Sequence, residues 1–159
     1  MLSLKTLNEY NPITPNKRGA VRIGGFSDNG GNDNRTTDRT VHAWQARNDG
    51  NPTQPAGARP QRDFGVSSRS DFVGPEIPSN DGSTHGASTN SNPNCGLHGT
   101  SWHLEEGTEL PQGLGFVPDG QDVNPHSSNG PGHCTIYPTD TMTVDEFNEL
   151  FQRLPWIQD

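Results

Sequence analysis

Residues 99–156, GTSWHLEEGTELPQGLGFVPDGQDVNPHSSNGPGHCTIYPTDTMTVDEFNELFQRLPW, carry the succession of signals that decides the fold. Thr100–Leu104 alternates as a short, half-buried strand does. Glu105-Glu106-Gly107 is a turn, and Leu110-Pro111-Gln112-Gly113-Leu114 is a connection punctuated by proline and glycine. Residues 115–117 make a second short strand. Pro118-Asp119-Gly120 stops it, because proline presets φ and glycine accepts positive φ. A polar loop follows. His133-Cys134-Thr135-Ile136-Tyr137 is rich in β-branched and aromatic residues and predicts the best strand of the chain, ended by Pro138.

The same stretch closes on a helix. Thr143 is its N-cap, and Glu146, three residues on, completes a capping box. Val144, Phe147, Leu150, Phe151 and Leu154 recur at helical spacing and give one apolar face. Asp145 and Glu146 sit in the first turn and Arg153 in the last, as the helix dipole favours. Pro155 stops the helix after about three turns of the usual pitch.

Outward from this core, the signals thin. Residues 1–15 read as a loose leader. Residues 19–26, GAVRIGGF, read as a short strand carrying Arg22. Residues 27–60 are rich in Asn, Asp, Gly, Thr and Pro and read as a polar, largely irregular insertion. Its apolar relief is Val41-His42-Ala43-Trp44, with Trp44 as the residue to pin it to the body. Residues 62–66 and 70–73 read as brief extended pieces. Residues 79–96 are polar again and contain Gly86-Ala87-Ser88-Thr89. No internal repeat is present. The expectation is a single domain, 1–159, whose best-defined core is 99–156.

Composition bounds the rest. Hydrophobic residues make up 26% of the 159, with 19 Gly and 14 Pro. Globular domains run roughly 45–50% apolar, glycine included, so the core must be small. A formal charge of −8 argues against a nucleic-acid partner, which calls for a basic face. No stretch reaches transmembrane length. The N-terminus lacks an apolar h-region. The expectation is a cytoplasmic protein, or one exported to a target cell without a conventional signal. Cys95 and Cys134 read as reduced thiols, since a disulfide framework would use more cysteines.

Three chemistries can be weighed from residue types. His98 and His103 have zinc-like spacing, but no Cys pair accompanies them, so no metal is assigned. Cys134 adjoins His133, but neighbouring strand residues point to opposite faces, which rules out a thiolate–imidazole couple. Ser88 has no G-x-S-x-G context. Gly24-Gly25 and Gly30-Gly31 make no phosphate loop, since no lysine follows.

The block GTSWHLEEGTELPQGLGFVPDG, followed by GHCTIYPTDTMTVDEF, resembles the C-terminal signature of a family of toxins with an ADP-ribosyltransferase fold. These are relatives of a small type VI secretion exported effector. The matching features are Arg22, Gly86-Ala87-Ser88-Thr89, Gly107-Thr108 through Leu114, Pro118-Asp119-Gly120, His133 to Ile136, Pro138, Met142 and Phe147. The stretch 62–75 also resembles the family's central region. The chain departs at Cys134, where the family strand has an aromatic, and residues 27–60 do not align.

The resemblance implies an α+β fold with a small split antiparallel sheet, the last helix packed on it, and long irregular loops. It implies an NAD-dependent ADP-ribosyltransferase-like toxin acting on an intracellular target. Arg22 would clamp the dinucleotide through its fork of donors. Ser88 and Thr89 would shape the nicotinamide-ribose pocket and take part in catalysis. His133 would stand where transferases of this fold have a glutamate, and contact the reacting ribose. If Arg22 is silent, Arg59 or Arg62 could reach the same cleft. NAD+ is the expected partner, with an unnamed acceptor and room for an immunity protein. The alternatives are an NAD glycohydrolase, transferring to water, and a non-catalytic binding or structural module on the same fold.

Overall fold

The computed structural model describes residues 34–45, 53–97 and 99–159. The elements in chain order are β1 (Val41–Gln45), α1 (Pro60–Phe64), β2 (Phe72–Val73), β3 (Ala87–Asn90), β4 (Thr100–Leu104), β5 (Leu114–Pro118), β6 (His133–Pro138), β7 (Met142–Thr143), α2 (Val144–Gln152) and β8 (Ile157–Gln158). Six strands form an antiparallel sheet in the order β5-β6-β3-β1-β4-β8, and β2 pairs with β7 in a small ribbon. The architecture is α+β.

The sheet is thinnest at its centre. β1 and β4 are in register over five pairs, Val41↔Leu104 to Gln45↔Thr100, and β3 and β6 over four, Ala87↔Ile136 to Asn90↔His133. β1 and β3 meet at the single pair His42↔Asn90. Two well-made half-sheets therefore touch at one point and part beyond it, which is the split that the sequence resemblance implies.

Strand alternation sorts the side chains by face. Val41, Ala43, Ala87, Leu104, Leu114, Phe116, Cys134 and Ile136 face a core that also takes Val144, Phe147 and Phe151 of α2. The other face carries His42 and Trp44 of β1, Ser88 and Asn90 of β3, and His133 and Thr135 of β6. The exclusion of a Cys134–His133 couple holds: Cys134 is fully buried while the His133 side chain keeps part of its surface exposed. Burial pushes the Cys134 thiol up to about 12, so it stays neutral. Both cysteines are free.

α2 forms where its caps and apolar spacing place it. Thr143 Oγ1 accepts from the Glu146 N–H at 3.1 Å, and Glu146 Oε1 accepts from the Thr143 N–H at 2.8 Å. Phe147 packs edge-on against Phe64 of α1 with centroids 5.2 Å apart, and lies parallel to Phe151 at 6.1 Å. Burying such aromatic area is the main apolar contribution available to so polar a chain.

Two local expectations are corrected. Residues 62–66, read as extended, lie mostly in α1. Pro60 begins that helix and Gly65, at φ 68°, ends it, the usual placement of the two residues at helix ends. Residues 27–60, read as largely irregular, contain β1, an inner strand of the sheet. Val41 and Ala43 alternate there with His42 and Trp44, a period-2 pattern too short to stand out against its polar surroundings. Among the described residues, no helix is long and apolar enough to cross a membrane.

Candidate active site at the split in the sheet

A cleft of about 360 Å³ opens where β1 and β3 part. Trp44 comes from β1, and Ala87 and Ser88 come from β3. Gly57 and Arg59, with Asp63 of α1, line the remaining side. The volume is within the range of small-molecule sites, and the lining mixes an apolar wall with a few convergent polar groups.

Each wall has a local cause. β3 alternates buried and exposed, so Ala87 and Thr89 go to the core while Ser88 faces solvent. The strand starts hard against β6, where a Cβ on Gly86 would collide with the Ile136 carbonyl. The Arg59 wall is held by Asn148 of α2. The Asn148 amide accepts from the Ala58 N–H at 2.7 Å and donates to the Ala58 carbonyl at 3.0 Å. Gly57 leaves room for that amide, since a Cβ there would strike Asn148 Oδ1. The Ala56 N–H donates to the Trp44 carbonyl at 3.2 Å, tying the same segment to β1. Arg59 itself stays largely exposed, with its Nε 3.5 Å from Asp63.

Ser88, which lines the cleft, has its Oγ 3.1 Å from His133 Nε2, and His133 itself is not among the lining residues. Ser88 is registered opposite Thr135, and His133 is two residues along β6 on the same face, a diagonal neighbour that a long side chain can reach. The opposite ring nitrogen, His133 Nδ1, lies 2.7 Å from Asp119 Oδ1. Asp119 follows β5 directly, and its N–H donates to the His133 carbonyl at 3.1 Å, extending the β5–β6 ladder by one residue. Its side chain is fully buried. Thr135 Oγ1 donates to Asp119 Oδ2 at 2.6 Å, and Asn129 Nδ2 at 3.3 Å.

The structure brings Ser88 and His133 together and does not bring Thr89 to them. Thr89 is buried on the opposite face, where its hydroxyl donates to the Cys134 carbonyl at 3.0 Å. Thr89 is not among the residues that line the cleft, and its hydroxyl is already committed to that carbonyl. Arg22 lies outside the described residues. Of the two substitute arginines, Arg59 lines the cleft and Arg62 is not among its lining residues. Asp119 was read from sequence only as a turn residue. The available signal was its phase: it lies two residues after Val117, which is registered opposite Thr135, so a hairpin places it opposite His133.

A second polar cluster lies farther along the same face. Asp159 accepts from Ser101 Oγ at 2.6 Å and lies 2.5 Å from His103 Nδ1 and 3.3 Å from His42 Nδ1. The three ligand atoms of His42, His103 and Asp159 are within 4.8 Å of one another, a donor set that suits a borderline divalent cation. Their hydrogen bonds to one another already account for the arrangement. His98, the other half of the spacing noted in the sequence, lies outside the described residues.

A family model described as Tse2 ADP-ribosyltransferase toxin matches residues 17–155. No curated protein and no solved structure matches the chain.

Proposed function

The chain belongs to the Tse2 ADP-ribosyltransferase toxin family, and from that premise we propose that the cleft between β1 and β3 binds NAD+ and catalyses loss of nicotinamide from its ribose. The observation that carries the reading is the 3.1 Å hydrogen bond between His133 and Ser88, a residue that lines the cleft. It couples His133 to Ser88, which lines a pocket otherwise walled by Trp44, Ala87 and Arg59.

The roles follow from the chemistry of each group. Arg59 offers a fork of donors suited to the dinucleotide phosphates. Arg22 remains proposed for the same task. Trp44 offers a flat face on which a ring can lie. Ser88 and His133 meet the nicotinamide ribose. Breaking the glycosidic bond leaves positive charge on the ribose, and fixed polar groups at that point lower the barrier without reorganising. His133 Nε2 is placed to take a proton from the nucleophile that replaces nicotinamide.

NAD+ is an intracellular dinucleotide, so the proposed place of action is inside a cell, after delivery there. An immunity protein is the proposed partner that would silence it. The test is incubation with NAD+, with nicotinamide and ADP-ribose followed separately. Nicotinamide release with ADP-ribose on a macromolecule supports transfer. Release with free ADP-ribose alone means a glycohydrolase. No nicotinamide from the folded protein overturns the enzyme reading and leaves a binding module.

A further inference from the structure

Asp119 is a fully buried carboxylate aimed at the back of His133, and neither packing nor the turn it follows requires a charge there. An anion is costly to bury unless its oxygens are satisfied. Here they are. Oδ1 faces His133 Nδ1, while Oδ2 takes the Thr135 hydroxyl and the Asn129 amide. Thr135 and Asn129 present O–H and N–H groups to it, so an acceptor-only group fits them. An amide in its place would turn its NH₂ toward one of them.

The surrounding loop is built to hold this carboxylate still. The Ser127 hydroxyl donates to the Asp119 carbonyl, and the Asn129 N–H donates to Ser127 Oγ at 3.0 Å. The Gly132 N–H donates to Asp122 Oδ1 at 2.6 Å, which closes the loop onto the start of β6. Gly120 admits no Cβ, which would meet the Gly130 carbonyl and the His133 N–H.

We propose that Asp119 is a positioning residue for the reaction assigned above, and in that sense the proposal rests on the NAD+ reading. A carboxylate only accepts, so the Asp119 bond fixes the proton on His133 Nδ1. Nε2 then carries a lone pair toward Ser88 and the cleft, and the Ser88 hydroxyl donates to it. When a nucleophile's O–H displaces the Ser88 hydroxyl from Nε2 and gives its proton there, its oxygen bonds to the ribose carbon. The carbon–nitrogen bond to nicotinamide breaks, its electron pair leaving with the nicotinamide. The imidazolium so formed faces the buried negative charge of Asp119, and later gives its proton to water. The cleft thus uses an aspartate acting through a histidine, with the charge out of reach of solvent.

The experiment has two independent readings on the full chain. Long-range ¹⁵N–¹H spectra of the imidazoles, with His133 assigned by His133→Gln, report which ring nitrogen is protonated when the ring is neutral. The expected state is Nδ1–H with Nε2 bare, and the opposite tautomer overturns the proposal even if the protein consumes no NAD+. The second reading is Asp119→Asn, followed by nicotinamide release and thermal unfolding. The expected result is a fall in kcat on the order of 10²-fold or more, the usual range for general acid–base groups, with KM changed little. A folded Asp119→Asn protein with near-normal kcat overturns it. If Asp119→Asn does not fold, the wild-type tautomer decides alone. If wild type releases no nicotinamide, the NAD+ reading fails and the tautomer still decides the role of Asp119.

Discussion

The side-chain amide of Asn148 pairs with both the N–H and the carbonyl of Ala58, 90 residues earlier in the chain. This double bond across a buried site couples the terminal helix to the segment that presents Arg59. Asn148→Leu removes both partners while keeping the volume close. Leaving a buried backbone group unpaired costs about 1–3 kcal/mol, so denaturant unfolding of this variant should show a loss of at least that size. The Arg59 wall should also loosen, and NAD+ affinity should fall with it. Unchanged stability would mean that the 55–59 segment is held elsewhere.

Phe147 is fully buried between Phe64 and Phe151. Phe147→Ala should destabilise by about 3–5 kcal/mol, most of the margin of a typical domain at the low end of about 5–15 kcal/mol. A change below about 1 kcal/mol in thermal or denaturant unfolding would show that α2 does not dock through this face.

Asp159 ties the end of the chain to β4 and makes that tie sensitive to acid. Partial burial works against its charged form, but hydrogen bonds from Ser101, His103 and His42 outweigh it and hold the carboxyl below the usual range. A carboxyl lowered by folding stabilises fully above its unfolded value, about 3.9, and loses that contribution as pH falls through the folded value. The protection of β8 amides, taken relative to the intrinsic exchange rate at each pH, should therefore fall below about pH 4. Asp159→Asn should remove the pH dependence. A β8 equally protected at pH 7 and below the folded value would contradict the assignment.

Arg59 and Arg62 separate binding from charge. Both are exposed arginines on one short segment, but Arg59 lines the cleft. Arg59→Ala should weaken NAD+ binding by roughly 1.5–3 kcal/mol, the range for a charge-assisted hydrogen bond. Arg62→Ala should leave it within about 0.5 kcal/mol, as for a surface substitution. Equal losses in a calorimetric titration would mean a diffuse electrostatic effect and no clamp.

The sequence made the C-terminal part of the fold legible because its signals there agree with one another. The capping box at Thr143 and Glu146, the apolar spacing from Val144 to Phe151, and the β-branched run before Pro138 all have local causes and appear as read, while the helix ends at Gln152, a few residues short of Pro155. β1 was hidden because an inner strand of five residues, VHAWQ, has only Val41 and Ala43 as a buried apolar pair and sits in polar surroundings. α1 was hidden by its length, although Pro60 and Gly65 mark both its ends. At the site, Ser88 and His133 followed from the family resemblance. Their hydrogen bond depends on the β3–β6 register, which no local signal specifies. Thr89 lies on the opposite face from Ser88, because a motif names adjacent residues and a strand turns them to opposite sides. Asp119 was missed because a Pro-Asp-Gly turn explains an aspartate without any further role.

Ser88 and His133 are proposed to act on NAD+ bound in the cleft between β1 and β3. The most direct test of this role is nicotinamide release by the wild-type protein and by His133→Ala, with NAD+ affinity and thermal unfolding measured on the same samples. A group acting mainly in the transition state is lost from kcat more than from binding. Wild type should release nicotinamide, and His133→Ala should show a fall on the order of 10²–10⁴-fold, with binding and unfolding close to normal. Equal nicotinamide release by the two proteins would contradict the proposed role.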